Sequence, residues 1–136
     1  MGDYDLSSAL PRAEELKALR DAAGMRPVPI EAVRAGLTGT VYGITIRSGG
    51  TLVGMGRIIG DGGMFFQIVD VVVAPAHQGK GLGKRIMAAL TAYLDNNAPS
   101  GAYVSLMAVG VASRLYEQYG FVPTAPVSIG MKRLID

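Results

Sequence analysis

The sequence predicts one mixed α/β domain spanning residues 1–136, with a mostly antiparallel sheet that closes on a strand–helix–strand unit. Three observations carry that reading. The length of 136 residues suits a single core. The chain is 49% hydrophobic and only 18% charged, which excludes a disordered chain. Apolar residues recur at helical spacing in some stretches and form β-branched runs between glycine-rich turns in others, in the order α-α-β-β-β-α-β-α-β.

Residues 7–24 read as the first helix. Ser7 and Ser8 can cap it, Pro11 suits its first turn, and Glu14 and Glu15 complement its positive end. Leu16 and Leu19 face inward and Gly24 stops it. Pro29 opens a second short helix with Ile30, Val33 and Leu37. Three strands follow over 40–47, 51–59 and 64–74, joined by Ser48-Gly49-Gly50 and Asp61-Gly62-Gly63. Gly54 and Gly56 inside the second of them predict a bulge or a close backbone approach. Val69-Asp70-Val71-Val72-Val73 reads as a central strand covered on both faces. A helix over 82–96 carries Leu82, Ile86, Leu90 and Leu94 at helical spacing. A strand at 103–107, a short helix at 111–119 and a last strand at 127–133 complete the order.

Composition removes several functions. The net charge is only +2 and the basic residues are dispersed, so no nucleic acid partner is expected, although a small positive excess suits an anionic small ligand. The chain has no cysteine, hence no disulfide, thiolate ligand or cysteine nucleophile, which fits a cytoplasmic location. His77 is the only histidine and makes no metal site, and a solvent-facing role suits it better than catalysis. The N-terminus lacks a basic start followed by an apolar run, and no apolar stretch reaches bilayer length, so no membrane partner is expected.

The segment with chemical content runs from Val71 through Arg85. A buried strand meets glycines and then a helix start, whose unpaired amides and partial positive charge suit phosphate. The Walker register fails because Lys84, five positions after Gly79, is followed by Arg85. The dinucleotide fingerprint fails because its third glycine would fall at Lys84. Gln78-Gly79-Lys80-Gly81-Leu82-Gly83, preceded by Val71-Val72-Val73-Ala74-Pro75, resembles the GNAT superfamily of N-acetyltransferases. Leu115-Tyr116-Glu117-Gln118-Tyr119-Gly120-Phe121 resembles that family's second hallmark, and the order of elements follows the family over nearly the whole chain.

The resemblance implies a GNAT-like fold with a splayed central strand pair and use of acetyl-CoA, with coenzyme A as product and no metal. It implies that the backbone of Val71, Val72 and Val73 pairs with the pantetheine arm as an added strand. It implies that amides from Gln78, Gly79, Lys80, Gly81, Leu82, Gly83 and Lys84 hold the pyrophosphate, with Lys80, Lys84 and Arg85 in reach of phosphates.

Acetyl transfer to an amine poses two proton problems. An alkylamine of pKa roughly 10.4 must lose a proton before it attacks, and a departing thiolate gains from a proton donor. On helix position alone Tyr116 reads first as a half-buried packing residue beside Leu115; the resemblance places it at the family's position for that acid and turns the reading toward catalysis. Tyr119 reads as structural. Asp70, in an apolar strand, reads either as a desolvated base or as a hydrogen-bonded strand carboxylate, and ordered water is an alternative proton carrier. Without a Ser-His-Asp set or a cysteine, direct attack in a ternary complex is expected. The family's acceptor region maps here to Met25, Arg26, Val28, Tyr42, Phe65 and Phe66, which hints at a small-molecule amine with an apolar or aromatic part. A lysine or protein N-terminus as acceptor, a non-catalytic acetyl-CoA sensor and a phosphate- or nucleotide-binding regulator are the alternatives. Edge strands of small α/β domains often pair, which leaves room for a homodimer.

Overall fold

A computed structural model describes residues 3–136. Its elements are β1 (Asp5–Ser7), α1 (Ala13–Ala22), α2 (Ile30–Leu37), β2 (Thr40–Ser48), β3 (Thr51–Gly60), β4 (Phe65–Val73), α3 (Leu82–Asn97), β5 (Tyr103–Ser105) and α4 (Ser113–Glu117), with single 3₁₀ turns at Pro75–His77 and Gly110–Ala112. The five strands form one mixed, open sheet in the order β1-β2-β3-β4-β5. The pairs β1–β2, β2–β3 and β3–β4 are antiparallel, and β4–β5 is parallel.

Helices cover both faces. On one face α3 buries Ile86, Met87 and Leu90 against Ile44, Ile46, Val53, Ile58 and Ile68. On the other, α1 and α2 bury Leu16, Leu19, Val33 and Leu37 against Leu52, Met55 and Val72. Each such side chain contributes about 1.5–3 kcal/mol on leaving water, so the two layers fix where the site can open. Gly56 lies under α3. A Cβ there would stand 2.5 Å from Ile86 Cγ2 and 3.0 Å from Leu90 Cδ1, so the close approach expected from its sequence is present.

The start of the chain differs from expectation. Residues 5–7 form a strand, with Asp5 opposite Arg47, Leu6 opposite Ile46 and Ser7 opposite Thr45. The first helix begins at Ala13 rather than at residue 7. Pro11 disfavours helical backbone at Leu10 and so separates the two conformations. Neither Ser7 nor Ser8 caps the helix; the Glu15 carboxylate accepts the Arg12 N–H at 2.9 Å instead. Glu15 also forms a two-pronged pair with Arg47 (2.7 and 3.0 Å), which holds its pKa down to about 2.

The end of the chain differs too. No strand forms at 127–133, and α4 covers only 113–117 of the predicted 111–119. β5 ends at Ser105, which leaves the segment at 127–133 no neighbouring strand of matching length to pair with. Val127, Ile129 and Met131 are accordingly exposed.

Candidate active site

The site begins where β4 loses a neighbour. β5 pairs with it only at Phe65–Gln67, so the same edge is open from Ile68 to Val73. The central strand is therefore covered less completely than its apolar run suggests: Val72 is buried, but Val71 and Val73 are half-buried. Opposite β3 the register moves from Met55–Val72 to Arg57–Val69, and within that irregularity Asp70 has φ 55°. A non-glycine residue there costs about 1–2 kcal/mol and persists only where its surroundings hold it. Its holders are two guanidinium groups. Asp70 Oδ1 accepts from Arg20 of α1, and Oδ2 accepts from Arg57 Nε of β3 at 2.7 Å. All three side chains are largely buried. The carboxylate thus faces two cations rather than the apolar wall that its sequence neighbours suggest.

At the end of β4, Gln78 acts locally. Its Nε2 donates to the Val73 carbonyl at 3.0 Å, and its own amide donates to the Pro75 carbonyl at 3.4 Å. The Gln78 amide is therefore not among the free donors, contrary to expectation. The next six are free: among the described residues, no acceptor lies within hydrogen-bond reach of the N–H groups of Gly79, Lys80, Gly81, Leu82, Gly83 and Lys84. Gly79 and Gly81 have φ of 77° and 79°, and a Cβ at either would meet nothing within 4 Å. Conformation, not crowding, calls for glycine here, and the space beside the backbone is open. Lys80, Lys84 and Arg85 are exposed and unpaired with any acid among the described residues. A row of bare amides at the start of a sixteen-residue helix suits an anion such as phosphate.

Tyr116, on α4, lines both cavities that meet along the open edge. One, of about 340 Å³, runs from Val71–Val73 to Gly79, Gly81 and Gly83. The other, of about 620 Å³, continues from Val71–Val73 past Asp70 to Arg20, Met25 and Arg26. Burial pushes the Tyr116 phenol above its ordinary value, so it stays protonated through the neutral range. Its hydroxyl makes no hydrogen bond to any described residue and is free to donate. Tyr119 is structural: its hydroxyl donates to the Lys84 carbonyl at 2.9 Å and pins α4 to the first turn of α3. His77 is not simply solvent-facing, since its Nδ1 lies 2.8 Å from the Tyr4 hydroxyl and ties the N-terminal segment to this turn. Of the six residues mapped to the acceptor region, Met25, Arg26 and Val28 line a third cavity beside Asp70. The others lie elsewhere: Tyr42 stacks on Tyr93 at 4.3 Å, Phe65 meets Tyr103, and Phe66 is in the core.

An open sheet edge, bare amides and a free phenol meet along these cavities. Residues 23–130 match the family model described as an acetyltransferase (GNAT) domain, so the chain belongs to the GNAT acetyltransferase family. A probable acetyltransferase of unknown function from meticillin-resistant Staphylococcus aureus is 40% identical over 97% of this chain and 99% of its own, with a TM-score of 0.93. A putative GNAT-family acetyltransferase from Xanthomonas campestris pv. campestris is 27% identical over 99% and 95%, with a TM-score of 0.76. A predicted acetyltransferase from Clostridium acetobutylicum, solved with acetyl-CoA, shares the fold at 12% identity and a TM-score of 0.73, over 95% and 96% of the two chains. No curated protein matches the chain. No helix among the described residues is long and apolar enough to cross a membrane, and no group of three potential metal ligands occurs among them.

Proposed function

We propose that this acetyltransferase moves an acetyl group from acetyl-CoA to the primary amine of a small molecule, by direct attack within a ternary complex. The observation that carries the donor half is the run of six unpartnered amides from Gly79 to Lys84 beside open space. They suit a pyrophosphate, with Lys80 and Lys84 as flanking charges, and the open edge at Val71–Val73 suits the amides of a pantetheine arm. Acetyl-CoA supplies the acetyl group as a thioester; everything else falls to the chain.

Tyr116 is the proton donor to the departing sulfur, since it is protonated, unpartnered and lines both cavities. The open edge beside Val71 is assigned the backbone donors for the carbonyl oxygen. Of the two readings of Asp70, base or hydrogen-bonded strand carboxylate, the second is supported, since a carboxylate accepting from both Arg20 and Arg57 has its oxygens engaged. We assign it the bulge of β4 and the placement of the two arginines, and give the amine's proton to solvent. Calorimetric titration of acetyl-CoA, run beside a thiol-release assay over a panel of amines, tests this. Binding with release identifies the transferase; binding without release for any amine is the sensor, and no binding overturns the reading of the loop.

A further inference from the structure

The cavity beside Asp70 has a charge that the sequence did not announce. It lies between the α1–α2 connection, β3 and β4, has a volume of about 620 Å³, and is lined by four cationic side chains, Arg20, Arg26, Arg57 and Lys132, and one carboxylate, Asp70. That carboxylate already serves Arg20 and Arg57. Arg26 and Lys132 are exposed and meet no acid among the described residues. The stretch carrying Arg26 is held in place: Arg20 Nη2 donates to the Arg26 carbonyl and Lys17 Nζ to the Val28 carbonyl, both at 2.9 Å.

An acceptor amine that enters as a bare ammonium finds no free acid here and meets like charge. A molecule that also carries an anion finds two unpaired cations at the rim. We infer that the acceptor is an amine bearing a carboxylate or phosphate group, bound through that anion by Arg26 and Lys132. This rests on the acetyl-transfer reading above. The same positive field disfavours the ammonium form of the bound amine, which raises its nucleophilic fraction without a dedicated base.

Matched acceptors test it: phenylalanine against phenethylamine, phosphoethanolamine against ethanolamine, and spermidine as the cationic arm. The anionic member of at least one pair should show kcat/KM about tenfold higher, and which pair responds separates carboxylate from phosphate. Arg26→Glu should remove that preference while acetyl-CoA affinity by calorimetry stays within about twofold. Equal or better use of the amines that lack the anion, spermidine included, or an unchanged preference in Arg26→Glu, overturns the inference. A binding arm needs no turnover: calorimetry with 3-phenylpropanoate against 3-phenylpropanol, and with methylphosphonate. Anion binding that Arg26→Glu abolishes, with no amine acetylated, keeps the anion site and overturns the transferase; acetylation without anion binding does the reverse, and neither overturns both.

Discussion

The turn into α3 and its first residues present main-chain N–H groups from six consecutive positions, whereas the cavity beside Asp70 presents guanidinium and ammonium groups drawn from α1, the α1–α2 connection, β3 and the segment around residue 132. The first needs only local conformation: two left-handed glycines and a helix start. The second needs the tertiary fold, because its parts are far apart in sequence. In the proposed assignment, the donor site depends on side chains only where they strain or crowd the backbone, while the acceptor site is made of side chains. On that assignment, one scaffold can keep its cofactor and change its substrate.

Four substitutions sharpen the contrast. Asp70→Asn should have the largest effect, because it leaves two largely buried guanidiniums without their counter-charge. Unfolding by urea should show a loss of about 3–5 kcal/mol, and a loss near zero would mean that the side-chain half does not depend on its ion pairs. Gly81→Val forces a β-branched residue to φ near 79° and places a side chain where the backbone is bare. Acetyl-CoA affinity measured by calorimetry should fall about a hundredfold, with much less change in stability. Unaltered affinity would mean that the amides are not the cradle. Tyr116→Phe should lower kcat roughly 10- to 100-fold while the acetyl-CoA Kd changes little, and an equal kcat would remove the phenol from proton transfer.

The smallest effect lies away from both sites. The Glu15 carboxyl has its pKa lowered from 4.5 to about 2 by Arg47 and the Arg12 amide, so its stabilising contribution is complete above about pH 4.5 and is lost as pH falls toward 2. In urea melts across that window, Glu15→Gln should start less stable than the parent and converge on it at the acid end. Parallel curves would show that the pair contributes nothing.

The legibility of each region follows from sequence distance. The loop was readable because its glycines, lysines and helix start lie within seven residues, and Tyr116 was readable from its spacing to Gly120 and Phe121. The partners of Asp70 were not, since Arg20 lies 50 residues away and Arg57 lies 13 away, with nothing in either local pattern to join them. Aromatic content misled the reading of the acceptor side: Tyr42, Phe65 and Phe66 follow strand alternation outward or into the core. A three-residue strand such as β1 carries too few positions for periodicity to show. The pattern at 127–133 has the right alternation, but alternation requires a neighbouring strand of matching length, and β5 is too short.

For the proposed acetyl-CoA site, Gly56 acts as a gauge between the two ends of a long ligand. The amide cradle rides on α3, and the irregular stretch of β4 is anchored to β3 at Arg57, the very next residue. With hydrogen in place of a methyl group, Ile86 and Leu90 settle directly onto the strand, so the span between the amides of α3 and the open stretch of β4 is set by contact rather than by a flexible link. Lifting the helix by the width of one carbon would leave every reactive group intact and the reach between them wrong.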